Sequence, residues 1–150
     1  MALNFKITAP ASDGTRHEDG PTRTLLLVDD DHTLLVALRI FFQRNGWHIL
    51  EAESIGEAMK LWDANHSHID AVLTDYSFDG ARTGLDLVTY IQGRRRGFPC
   101  VVISGLWTPA KRPRDEPQVN LYYRVKPSEP RELLATIVKA IEIEAATRQA

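Results

Sequence analysis

The sequence predicts an α/β fold, a five-stranded parallel sheet covered by helices on both faces. Three observations lead there. Short apolar runs such as Thr24–Val28 and Ile69–Asp75 close on carboxylates or turn residues, as buried strands do. Between them lie segments whose apolar residues recur at three- and four-residue spacing, the signature of an amphipathic helix. The two kinds alternate along the chain, and strand–helix alternation builds a parallel sheet. At 150 residues the chain is one domain's worth, long enough to bury a substantial core.

Residues 1–22 carry Pro10, Gly14, Gly20 and Pro21 among scattered charges without a sustained period, and read as a flexible arm. The first strand is Thr24–Val28, ending at Asp29-Asp30-Asp31. Leu34, Leu35, Leu38, Phe41 and Phe42 then draw one helical stripe, stopped by Asn45-Gly46. Trp47–Ala52 is the second strand. Ser54 with Glu57 is a capping-box pattern opening a helix that carries Ile55, Ala58, Leu61 and Trp62. The third strand is Ile69–Asp75, broken by Tyr76-Ser77-Phe78-Asp79-Gly80, and Gly84–Ile91 has helical spacing. Strand four runs from Pro99 to Ser104. Pro109, Pro113 and Pro117 follow, and each interior proline costs a helix about 3 kcal/mol. The fourth helix is therefore expected to be short or irregular over 108–117. Leu121–Val125 is the fifth strand, ending at Lys126-Pro127. Ser128 is read as the cap of a last helix whose stripe is Leu133, Leu134, Ile137, Val138 and Ile141. Right-handed crossovers leave few topologies for five such strands. The simplest is a flavodoxin-like doubly wound sheet, order 2-1-3-4-5.

Composition excludes several function classes. A net charge of -2 offers no global field for nucleic acid or an anionic membrane. No run approaches the ~18 apolar residues of a membrane span, and no signal-peptide core is present, so a cytoplasmic protein without membrane contact is expected. The single Cys100 lies in the apolar run Pro99–Ile103 and is expected buried and inert. His66 and His68 have no third metal ligand in view and read as solvated loop residues. Arg94-Arg95-Arg96, with no interleaved aromatic, reads as a solvated helix end suited to the helix dipole and argues against direct DNA binding. Together with Lys111, Arg112 and Arg114, these arginines are candidates for contact with an acidic partner protein.

The chemistry lies at the carboxyl ends of the strands, which in a parallel sheet share one edge. Strand one supplies Asp29 and Asp30, strand three Asp75, strand four Ser104 and strand five Lys126. Three clustered carboxylates repel one another unless a cation lies among them, and Mg²⁺, a hard oxygen-preferring ion, suits such a set. A metal and a lysine neutralise phosphoryl charge while a hydroxyl donates to a phosphoryl oxygen. The set points to phosphoryl transfer to or from a carboxylate, with an aspartate able to act as nucleophile.

These residues closely resemble the response-regulator receiver domain of two-component signalling over roughly residues 23 to 146, in a domain taken as 23–150. The likeness rests on Leu25–Asp31, Leu73-Thr74-Asp75, Val101–Gly105 and Tyr123–Pro127. It implies that Asp75 is the phosphoacceptor, that Asp30 binds Mg²⁺ directly with Asp29 assisting, and that Ser77 offers its backbone carbonyl to the metal. It further implies that Ser104 hydrogen-bonds the phosphoryl group, that Lys126 pairs with its oxygens, that Tyr123 is the switch aromatic, and that the Lys126–Pro127 bond can be cis. The implied partners are a sensor histidine kinase or a histidine phosphotransfer protein and a downstream target. Such a domain is a switch that catalyses only its own phosphorylation and dephosphorylation.

Two features depart from the family pattern. The loop after Asp75 places Asp79 where proline is usual and Gly84 nine residues on, so it is expected to be one residue longer, with Asp79 in solvent. The segment 108–117 falls where a helix of the usual output face belongs. No helix-turn-helix, cyclase or methylesterase segment follows the last helix, so output by binding or by phosphorelay is expected. Two rivals remain. Asp29-Asp30-Asp31-His32-Thr33 satisfies the D-x-D-x-T pattern of haloacid-dehalogenase phosphatases, with Asp29 as nucleophile and Asp31 as general acid. A receiver fold that serves only as a binding module is the other.

Overall fold

The computed structural model describes residues 22–105 and 119–149. The predicted N-terminal arm, except Thr22, and the irregular fourth helix predicted over 108–117 lie outside them.

Five parallel strands, β1 (Thr24–Val28), β2 (His48–Ala52), β3 (Ala71–Asp75), β4 (Cys100–Ser104) and β5 (Leu121–Val125), pair in the order β2-β1-β3-β4-β5. This is the doubly wound order expected from the sequence. Four α-helices are described: α1 (His32–Arg44), α2 (Ile55–Asn65), α3 (Gly84–Gln92) and α4 (Pro130–Gln149). β3 and β4 are buried along their whole length, which explains their near-continuous apolar sequence.

Successive strand residues feed opposite cores. Leu26, Val28, Val72 and Val102 point to α2 and α3, where Ile55, Trp62, Leu87 and Ile91 meet them. Leu25, Leu27, Leu73, Val101 and Ile103 point to the other face, covered by Leu35, Leu38 and Phe42 of α1 and by Leu133 and Ile137 of α4. β5 is half-buried, as an edge strand is.

The helix starts follow their caps. Ser54 Oγ accepts from Glu57 N at 3.1 Å, while the Glu57 carboxylate accepts from Glu53 N at 2.7 Å. Thr83 and Asp86 form a full capping box at α3, a device the sequence reading passed over. Ser128 corrects an expectation. The last helix begins at Pro130, and the Ser128 hydroxyl donates back to the Val125 carbonyl at 2.6 Å instead of capping it.

The arginine run is also corrected in part. Arg94 and Arg96 are exposed, but Arg95 donates through Nε and Nη2 to both carboxylate oxygens of Glu144, each at 2.8 Å. Glu144 is buried, with its side chain 8% exposed, so this bidentate pair fastens the end of α3 to the far part of α4. Cys100 is fully buried as expected, and burial pushes its thiol pKa well up. His66 and His68 are exposed on a short 3₁₀ turn. Among the described residues no helix is long and apolar enough to cross a membrane.

Candidate functional site

The sheet register brings the candidate residues together. Val28 pairs with Thr74 and Asp75 with Ile103, and Ser104 pairs with Val125, so the next residues emerge side by side at the carboxyl edge. The ladder extends one step further to hold them there. Asp29 N donates to Ala52 O at 3.1 Å, Tyr76 N to Ile103 O at 2.8 Å and Lys126 N to Ser104 O at 2.9 Å. Backbone hydrogen bonds of the sheet thus fix the positions of residues that are far apart in sequence.

Lys126 Nζ lies 3.3 Å from an Asp29 oxygen and 3.3 Å from Asp75 Oδ1. Asp29, Asp30 and Asp75 each present an oxygen, and these lie within 4.8 Å of one another. Asp29 and Asp75 are buried, 1% and 7% exposed, whereas Asp30 faces solvent. Among the described residues no other group of acids, histidines or cysteines is close enough to hold a metal. Three carboxylates balanced by one ammonium leave net negative charge at a partly buried site. An all-oxygen set of that kind fits a hard divalent cation such as Mg²⁺.

Burial raises the Asp29 pKa first of all, with the Asp30 charge adding to it and the Asp31 amide and Lys126 opposing. Asp75 is likewise raised, by burial and then by the Asp29 charge, against the pull of Lys126. Burial alone would lower Lys126, but Asp29 and Asp75 more than offset it, and the ammonium is held above its ordinary value. The lysine therefore stays charged beside the carboxylates.

Asp75 is held from behind as well. Its Oδ1 accepts from Tyr76 N at 2.9 Å, and Gly84 N donates to Tyr76 O at 2.8 Å. α3 starts so close to β3 that a Cβ on Gly84 would collide with the Asp75 carbonyl oxygen and lie 3.1 Å from the Asp75 carbonyl carbon. Glycine here answers to space rather than to backbone conformation. The loop between Asp75 and Gly84 turns through Gly80, whose φ of 112° suits glycine alone.

Ser104 is buried at the end of β4, and Tyr123 packs half-buried against the α2–α3 core. Ser77 and Asp79 are exposed on the loop after Asp75, and Asp79 stands outside the acidic group. The Lys126–Pro127 peptide is cis. Asp31, which a dehalogenase-type phosphatase would use as general acid, is instead the N-cap of α1. Its carboxylate accepts from Thr33 N at 3.0 Å and Leu34 N at 3.2 Å. Sequence reasoning missed Arg82 and Glu53, which line a recess beside Asp30 from the loops after β3 and β2, because isolated loop charges carry no periodic signal.

The family described as the response regulator receiver domain matches residues 25–138, and the chain belongs to that family. It is 31% identical over 123 residues to the acid tolerance regulatory protein ActR of Rhizobium meliloti (strain 1021), covering 80% of this chain and 60% of ActR. The chain thus spans somewhat over half the length of that relative. The fold is shared with solved receiver structures. One, a receiver domain protein from Clostridium thermocellum, superimposes with a TM-score of 0.71 at 22% identity over 83% of this chain and 98% of its own. Another, a receiver protein from Sinorhizobium medicae WSM419, gives 0.72 at 21% identity over 81% and 95%.

Proposed function

We propose that Asp75 accepts a phosphoryl group from a phosphohistidine on a sensor histidine kinase or a phosphotransfer protein, and that the chain acts as a cytoplasmic switch or relay rather than as a turnover enzyme. The observation that carries this reading is the bridging of Asp29 and Asp75 by Lys126 beside the exposed Asp30. Receiver domains bind Mg²⁺ at such an acidic pocket. Asp29, Asp30 and Asp75, with the Ser77 carbonyl, would hold the ion, which when bound neutralises phosphoryl charge.

The residues of the chain divide the remaining work. Asp75 supplies the attacking carboxylate oxygen, oriented by the Tyr76 amide and by the α3 start. Lys126, already at 3.3 Å from Asp75, moves its pairing from carboxylate to phosphoryl oxygen. Ser104 donates its hydroxyl to the same group, and Tyr123 on the neighbouring strand reports the change to the β5 surface. The phosphorylated state then biases which partner the surface binds.

Labelling with a small acyl-phosphate donor in Mg²⁺ tests the assignment. Asp75→Asn should lose the label while Asp29→Asn is slowed. Retained labelling in Asp75→Asn, with loss in Asp29→Asn, would favour the phosphatase chemistry instead.

A further inference from the structure

A recess of about 520 Å³ opens beside Asp30, between the start of α2 and the loop that follows Asp75. Ile55, Phe78 and Ala81 give it apolar walls, and Asp30, Glu53 and Asp79 give it carboxylates. Among the described residues, Arg82 is the single cation that lines it. Lys126 is on the other flank of the acidic group and is committed to Asp29 and Asp75. Arg82 is not committed in this way. It is exposed, and its one polar contact among the described residues is Nη1 to the Met59 sulfur at 3.4 Å, a weak acceptor. The first turn of α2 does not crowd it, since even a Cβ on Gly56 would make only an ordinary contact, 3.9 Å from Arg82 Nη1. The guanidinium therefore retains most of its five donors in the recess beside Asp30.

A phosphoryl donor brings an anionic group toward a mouth lined mainly by carboxylates, an approach disfavoured unless a positive group offsets the repulsion. We propose that Arg82 is the donor-capturing residue of this domain, engaging the anionic phosphoryl group at the recess before Asp75 attacks. The inference rests on the phosphoacceptor reading of Asp75. In the step it serves, a bond forms between an Asp75 carboxylate oxygen and phosphorus as the donor P–N or P–O bond breaks. The bonding pair leaves with the nitrogen or carboxylate leaving group. Arg82 acts on encounter and positioning, not on the bonds themselves.

The test uses the full chain with Mg²⁺ and two small donors, phosphoramidate and acetyl phosphate, and follows phosphorylation of Asp75 by intact mass. Arg82→Gln should lower the second-order rate constant about three- to tenfold for both donors and flatten its dependence on ionic strength. Arg82→Lys, which keeps the charge, should recover most of the rate. Wild-type rates in Arg82→Gln, an unchanged salt slope, or an Arg82→Lys variant as slow as Arg82→Gln would each overturn the proposal. If the unmodified chain takes no label at Asp75 from either donor, the phosphoacceptor reading itself fails, and the role of Arg82 falls with it.

Discussion

Gly84→Ala is the perturbation whose cost follows most directly from the geometry. The added methyl would collide with the Asp75 carbonyl oxygen and stand 3.1 Å from both the Asp75 carbonyl carbon and Thr74 Cγ2. Two of these three are backbone atoms of a strand buried on both faces, so no rotamer change relieves the contact. Relief requires α3 to lift away from β3, loosening Leu87, Val88 and Ile91, all fully buried. Overpacking of this kind costs about 1–3 kcal/mol, and a backbone obstacle puts it at the upper end. Alanine recovers up to ~1 kcal/mol of helix propensity, leaving a net loss of about 2 kcal/mol. At ~2–4 °C per kcal/mol for a domain of this size, the melting temperature should fall by about 4–8 °C. Thermal melts followed by far-UV circular dichroism measure this, with urea titration giving the free energy. An unchanged or raised melting temperature would refute the claim that α3 is packed against the Asp75 backbone.

Three other outcomes are expected. Glu144→Ala should cost about 2 kcal/mol in urea unfolding, because it strips Arg95 of a bidentate partner, and the Arg95→Met/Glu144→Leu double variant should cost less than the two single losses added together. Since burial raises the folded-state pKa of Asp75, its ionised form opposes folding at neutral pH, and that penalty is lost as pH falls through the raised pKa toward the ordinary carboxylate value. Without divalent cations, Asp75→Asn should therefore be more stable than wild type by about 1 kcal/mol at pH 7, with the advantage shrinking in acid. Cys100 should react with a thiol reagent only as fast as the domain unfolds, because its thiol is fully buried and its pKa is pushed up by that burial.

Much of this architecture is legible in the residues because two simple periods carry it. β3 and β4, buried on both faces, need apolar residues at every position, and Ala71–Leu73 and Cys100–Ile103 supply them. Once the strands are parallel, their carboxyl ends share an edge, and Asp29, Asp75, Ser104 and Lys126 converge without further information. Contacts between distant charged residues were harder to read. Arg95 and Glu144 are 49 positions apart and each looks like an ordinary surface charge. Glu144 nevertheless lies seven residues after Ile137 and four after Ala140, in phase with the buried face of α4, and that phase was the available signal. Ser128 has the residue type of a cap but turns its hydroxyl to Val125, a choice made by the turn after β5. Arg82 and Glu53 sit on loops, where spacing predicts nothing about what they face.

Phosphorylation at Asp75 is open to direct test. Incubation with acetyl phosphate and Mg²⁺, borohydride trapping of the acyl phosphate and peptide mass spectrometry locate the modified aspartate directly. Modification is expected at Asp75, and none when Mg²⁺ is chelated. Modification at Asp29 in place of Asp75, or none at either residue, would contradict it.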